Sequence, residues 1–355
     1  MSLNTDQMKN VLVLAPDKHM GDLVLALSAI NALKEHFKGK HFYLVIDSAY
    51  TEIVETLEGL ENVILYPRRL LNRNPFIKRM AILINFLRQL RNMSPDIAID
   101  LQGGVASSTM TFLSGAPLRI GRSTAKRPYL YNVKVDIKHA RHKFYTFTDI
   151  AYAAGVKGII DAYSLSSSVE KRGVLKNILM NEKISLEKPV ICIHPGAGVM
   201  YKQWTDEGFA EVSDWIVSRG FQVVFVGTGN ESAKIEHIKS IMKNHAYNLS
   251  GKVSLGELTA LIEIASLYLG NDSGPMHLAA AVGTPVVALF GPASEHRWDP
   301  FSTKAIVLRG EKRCEKCTGK DCQHDFKCIR MISADDVKAA AEKLIQSEPK
   351  PVMEL

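Results

Sequence analysis

Residues 270–292, GNDSGPMHLAAAVGTPVVALFGP, constrain the fold more than any other stretch. An apolar run ends at Leu269, and Gly270-Asn271-Asp272-Ser273-Gly274 makes a turn. Pro275 then opens a short helix over 276–281, which Gly283-Thr284-Pro285 stops before a buried strand over 286–290. Proline suits a first helical position because its missing N–H is not needed there. Asp272 or Ser273 is expected to cap the free amides. A strand, a turn of small residues and a helix in this order aim unpaired N–H groups and a positive helix end at one point. That arrangement receives an anion, and a phosphate suits it best. The same pattern also fits a well-capped helix buried in a parallel sheet.

A chain of 355 residues exceeds what one core usually serves, so two domains are expected. Hydrophobic residues make up 46% and charged residues 23%, the proportions of a soluble globular protein. No apolar run reaches the roughly 18 residues that span a bilayer. The opening MSLNTDQMKN has no apolar core of a secretory signal, which predicts a cytoplasmic protein. The net charge of +7 is unevenly spread. From Arg68 to Lys143 fifteen Lys and Arg meet only Asp96, Asp100 and Asp136, a surplus of +12, so the remainder nets −5. A basic half of this kind suits an anionic partner, or is a solvated face.

Short β runs at 9–14, 41–46, 63–65 and 97–101 alternate with helical patterns in the first half. Runs at 190–193, 221–226, 267–269 and 286–290 do so in the second. The fold class is therefore α/β: two Rossmann-like domains facing a cleft, with parallel sheets covered by helices on both faces. The expected divisions are 1–165, a linker at 166–188, a second domain at 189–332, and a terminal helix and tail at 333–355. Asp22 is expected to open a helix over 23–37, at the carboxyl end of the first strand, where such sheets place ligands. Ser254 with Glu257 forms a capping box.

Residues 68–92 contain a cationic helix with an apolar stripe of Ile77, Met80, Ala81, Ile84, Leu87 and Leu90. Such a stripe commonly packs on a core, or lies on an anionic membrane. A second basic stretch runs over 119–143. Cys314, Cys317, Cys322 and Cys328 follow the spacing C-x2-C-x4-C-x5-C, which in a cytoplasmic chain suggests a metal, or else a structural knuckle. Cys192 lies within a strand as a small buried hydrophobe.

Four stretches together resemble glycosyltransferase family 9, the ADP-heptose:lipopolysaccharide heptosyltransferases of GT-B fold. They are VLVLAPDKHMGDLVLALSAINALK (11–34), HPGAGVMYKQWTDEGFAEV (194–212), VGTGNE (226–231) and SLGELTALIEIASLYLGNDSGPMHLAAAVGTPVVALFGP (254–292). The likeness covers nearly the whole chain, and the last stretch is the most specific. It implies an inverting transfer of heptose from ADP-heptose to a lipopolysaccharide core acceptor of lipid A and Kdo, without a required cofactor or a catalytic metal.

The resemblance also implies roles. Asp22, the Asp of the GD motif, is the general base. Lys202 touches the donor phosphates, with Trp204 nearby. Glu231 binds the donor ribose, and Asp272, Ser273, Gly274 and His277 cradle the diphosphate. The chain departs from many members at Lys18-His19-Met20, which leaves His19 as a rival base and the acceptor preference open. The basic half is assigned to the acceptor, through Arg73, Lys78, Arg122 and Arg127. That acceptor is an anionic glycolipid, which places the protein peripherally on the inner face of the plasma membrane. Rival readings are a relative using another nucleotide sugar, a sugar-nucleotide epimerase, and a non-catalytic nucleotide-binding protein. Tyr129 and Tyr131 lie among basic residues, yet no RNA-binding signature accompanies them, so no nucleic-acid partner is expected.

Overall fold

The computed structural model describes residues 7–137, 141–162, 164–291, 295–310, 322 and 327–347. Its contacts divide the chain into two compact units, Met1–Tyr163 and Ser164–Leu355.

In the first unit the elements run β1 (Asn10–Ala15), α1 (Met20–His36), β2 (His41–Asp47), α2 (Thr51–Val54) and β3 (Asn62–Tyr66). They continue with α3 (Arg68–Arg73), α4 (Phe76–Asn92), β4 (Ile97–Asp100), α5 (Val105–Leu113), β5 (Leu118–Arg122), β6 (Val133–Val135) and α6 (Lys143–Ala153). All pairings are parallel, in the order β3-β2-β1-β4-β5-β6. The central strands β1 and β4 are almost wholly buried, as strands covered on both faces must be. The basic stretch 119–143 therefore contains two strands that its charges conceal. They stand at the end of the sheet order, β6 at its edge, and they are less buried than β1 and β4, so charged residues interrupt their apolar runs.

The second unit runs α7 (Val169–Asn181), β7 (Val190–His194), α8 (Asp206–Ser218), β8 (Gln222–Phe225), α9 (Ser232–Ile241) and β9 (Tyr247–Asn248). It continues with α10 (Leu255–Ile264), β10 (Leu267–Asn271), α11 (Gly274–Ala281), β11 (Val286–Phe290), α12 (Glu295–Trp298), β12 (Ala305–Arg309), α13 (Lys327–Arg330) and α14 (Ala334–Ser347). Its parallel order is β12-β11-β10-β7-β8-β9. Both sheets are six-stranded and doubly wound, each with a point where the strand order reverses. In the first unit that point lies between β1 and β4, and in the second between β7 and β10. The stretch expected as a linker is folded in part. Helix α7 buries Leu175 and Leu179 and packs against α10, and Leu165 N–H donates to Ala281 O at 2.9 Å.

Two local expectations change. Helix α1 starts at Met20, with His19 extended before it, so Asp22 sits inside the first turn and does not cap the helix. Helix α4 buries only Phe86 and Leu90, so most of its apolar stripe is not core. The capping box stands: Ser254 N–H donates to Glu257 Oε2 at 2.6 Å. Cys192 is fully buried in β7, and burial pushes its thiol far up.

Candidate active site

Open parallel sheets leave a crevice beyond the carboxyl ends of their strands, where the strand order reverses. In the second unit that place lies between β7 and β10, where His194 pairs in register with Gly270. A Cβ on Gly270 would stand 2.9 Å from the His194 carbonyl, so the close approach admits only glycine. His194 Nδ1 lies 3.1 Å from Ser273 Oγ, and its Nε2 lies 3.5 Å from Glu231 Oε1. Glu231 in turn accepts from Thr228 N–H at 2.7 Å and from the Thr228 hydroxyl at 2.9 Å. Burial pushes the Glu231 carboxyl up, but His194 and Thr228 outweigh it and hold the group at about 2. Gly196 makes room for this carboxylate, since a Cβ there would collide with Glu231 Oε1.

Asn271, fully buried, locks the surrounding loops. Its amide donates to Pro195 O at 2.9 Å, and its oxygen accepts from Trp204 N–H at 3.1 Å. Lys202 Nζ lies 2.6 Å from Asp272 Oδ2. Burial raises the Asp272 carboxyl, opposed by the charges of Lys202 and Arg309. Neither Asp272 nor Ser273 caps α11: Ser273 is the N-cap residue but makes no side-chain bond to the helix. Its hydroxyl is turned to His194 instead. The start of α11 thus lacks the side-chain cap expected from the sequence, and a cation stands beside it. Both features suit an anion.

The expected donor residues do not all face this point. Lys202, Glu231, Asp272 and Ser273 meet around His194 and the start of α11, where Gly274 is the first helical residue. His277 is buried one turn further on. Trp204 is committed to the core: it is 2% exposed, its indole N–H donates to Ile332 O at 3.0 Å, and it stacks edge-on against Phe209. His194 and Asn271 join the site without having been expected there. Their signal is present in the HPG loop and in the turn at 270–274.

In the first unit the corresponding turn joins β1 to α1. Asp17 Oδ1 accepts from His19 N–H at 3.2 Å, and Tyr50 hydroxyl donates to Lys18 O at 2.7 Å. Arg68 donates to Pro16 O at 2.5 Å and pairs with Asp47, so one member of the basic stretch has a structural task. Helix α6 packs along α1, which brings its first residue, the buried Lys143, to 3.6 Å from Asp22 Oδ1. That oxygen is buried and makes no hydrogen bond among the described residues. His19, the rival base, is exposed.

Asp17 is a further residue of this turn that the motifs did not single out, although PDKHMGD places two carboxylates in one loop. Burial, then the negative charge of Asp22, push its carboxyl up to about 6, against the His19 and Lys18 N–H groups and Lys143. The folded chain binds that proton more tightly than the unfolded one. Ionised Asp17 therefore destabilises the fold fully above about pH 6 and not at all below about pH 4. A tenfold difference in proton affinity is worth about 1.4 kcal/mol, so Asp17→Asn is expected to gain about 1–3 kcal/mol at pH 7.5 and nothing near pH 4. Urea unfolding at both pH values checks this, and an equal effect at both would remove the electrostatic explanation.

The four expected acceptor residues separate. Arg73 and Lys78 are exposed on α3 and α4. Arg122 and Arg127 are half-buried near the carboxyl ends of β4 and β5, where Arg127 donates to Thr109 Oγ1 at 2.9 Å. Gly103, with φ +69°, leaves space for Arg122, whose Nε would collide with a Cβ there. Asp100 holds this loop by accepting from Gly103 N–H at 2.8 Å and from Tyr131 hydroxyl at 2.6 Å. Of the four cysteines, Cys314 and Cys317 lie outside the described residues. Among the described residues no three His, Cys, Asp or Glu are grouped to hold a metal.

Known proteins resemble this chain in sequence and fold. The sequence model of glycosyltransferase family 9 (heptosyltransferase) matches residues 83–327. Lipopolysaccharide heptosyltransferase 3 of Escherichia coli (strain K12) is 26% identical over 350 residues, covering 93% of this chain and 97% of that protein. The crystal structure of a family 9 glycosyl transferase from Veillonella parvula DSM 2008 superposes with a TM-score of 0.83 at 24% identity, covering 98% of this chain and 99% of that one. E. coli ADP-heptose lps heptosyltransferase II gives a TM-score of 0.77 at 23% identity over 95% and 99%. The two structures share the fold of this chain.

Proposed function

The chain belongs to glycosyltransferase family 9 and is a glycosyltransferase, and from that membership we propose that it moves a heptose from ADP-heptose to a lipopolysaccharide core acceptor with inversion. One observation carries the donor half of this reading: Lys202 stands beside a helix start without a side-chain cap, at the crevice of the second sheet. Transfer from a nucleotide diphosphate sugar builds negative charge on the departing diphosphate. Fixed N–H groups and a lysine meet that charge without rearrangement. Glu231, held ionised, accepts hydrogen bonds from the ribose hydroxyls in this reading.

The first unit supplies the base. Asp22 takes the proton of the acceptor hydroxyl as its oxygen bonds to the anomeric carbon and the bond to ADP breaks. Lys143 holds the Asp22 carboxylate in place. Arg122 and Arg127 receive the anionic core of the acceptor, and the glycolipid draws the protein peripherally to the inner face of the membrane. No helix among the described residues is long and apolar enough to cross a membrane.

Thermal shift with a series of nucleotide sugars tests the donor, because selective binding to the folded state raises its melting temperature. ADP-heptose is expected to stabilise the protein and to be consumed only when lipid A–Kdo acceptor is present. Stabilisation by another nucleotide sugar alone would select the relative with a different donor. Binding without turnover on any acceptor would select the non-catalytic reading.

A further inference from the structure

Helix α4 carries two apolar faces, and among the described residues of the first unit one of them is buried and the other exposed. Phe86 and Leu90 are buried in the first unit's core, Phe86 edge-on against Tyr66. Residues nine apart on a helix lie half a turn round from each other, so Ile77 points away from Phe86. Ile77 is 83% exposed, Phe76 72%, and Leu70 on α3 53%. Met80 and Ile84 continue the same outer stripe as Ile77, and both are exposed. Helix α3 buries none of its residues.

The rim of this outer face is cationic throughout. Residues 68–92 contain seven Lys and Arg and no Asp or Glu. Arg68 is engaged with Asp47, while Arg69, Arg73, Lys78, Arg79, Arg88 and Arg91 are exposed. Large apolar side chains ringed by one sign match an anionic lipid surface, where the apolar groups enter the acyl boundary and the cations stay among the headgroups.

We propose that α3 and the first two turns of α4 form a lipid-insertion face, which docks on an anionic bilayer through Leu70, Phe76, Ile77 and Met80 without help from the acceptor. This deepens the proposed function, since a glycolipid acceptor calls for such contact, yet it is separable from it because binding is measured with no acceptor present.

The experiment is co-sedimentation of the full chain with phosphatidylcholine vesicles, plain or with about a quarter phosphatidylglycerol, across a salt series. The protein is expected to sediment with the anionic vesicles only. Phe76→Ser/Ile77→Ser should lower the partition coefficient about tenfold or more, including at high salt, where the apolar contribution persists. Arg69→Gln/Arg79→Gln should lower it mainly at low salt. Both variants should melt like the parent chain, since neither pair is buried. Nucleotide-sugar thermal shift should also be unchanged, so that a failed donor reading and a failed membrane reading give different results. An apolar variant that sediments like the parent, or a parent that ignores anionic vesicles, would overturn the proposal. So would a dimer in sedimentation velocity that Ile77→Ser dissolves, because the face would then belong to a second copy of the chain.

Discussion

Asp22→Asn is expected to keep the fold and donor binding while turnover falls about 100-fold or more, the scale of losing a general base. The amide matches the carboxylate in shape, so α1 keeps its first turn, which Asp22 does not cap. What changes is the acceptor for a proton, and the partner of Lys143 at 3.6 Å. The charge of Asp22 is then gone from beside Asp17, whose raised carboxyl owes part of its rise to it. In the variant Asp17 should ionise at lower pH, a change that carbon-detected NMR titration can follow. Single-turnover rates measured beside donor titration separate chemistry from binding. Near-normal turnover in Asp22→Asn together with an inactive His19→Ala would move the base to His19.

Lys202→Ala should weaken ADP binding by about 1.5–3 kcal/mol, the range for a hydrogen bond to a charged group. That is roughly a 10- to 150-fold rise in Kd. Two effects add. The phosphates lose a cation, and the Asp272 carboxylate, 2.6 Å from Lys202, is left buried without its closest counter-charge. An ionised Asp272 would then repel the diphosphate. The double variant Lys202→Ala/Asp272→Asn should therefore recover part of the lost affinity, which a lysine acting only as a phosphate ligand would not allow. Calorimetry with ADP and with adenosine decides the matter, because adenosine should lose little. Equal losses for both would show that Lys202 does not meet phosphate.

Much of the second unit was legible because its signals are local. The turn at 270–274, Pro275 and the Ser254 capping box act within a few residues, so short stretches of sequence display them. Trp204 shows where this ends. Its position beside Lys202 suggested a place in the donor site, but a large aromatic gains most from burial, and its N–H reached Ile332, 128 residues away.

The sequence by itself determined two cores, the alternation of strands and helices, and the two turns at 15–22 and 270–274, because periodicity and turn chemistry are short-range properties of the chain. Only the tertiary structure decided which side chains share a site. The reversal of strand order in the second sheet brings His194 to Ser273, 79 residues on, and the packing of α6 on α1 brings Lys143 to Asp22. It also decided the face of α4. A helical stripe announces that one side of a helix is apolar, but whether that side meets a core or stands in solvent depends on what the rest of the chain leaves uncovered.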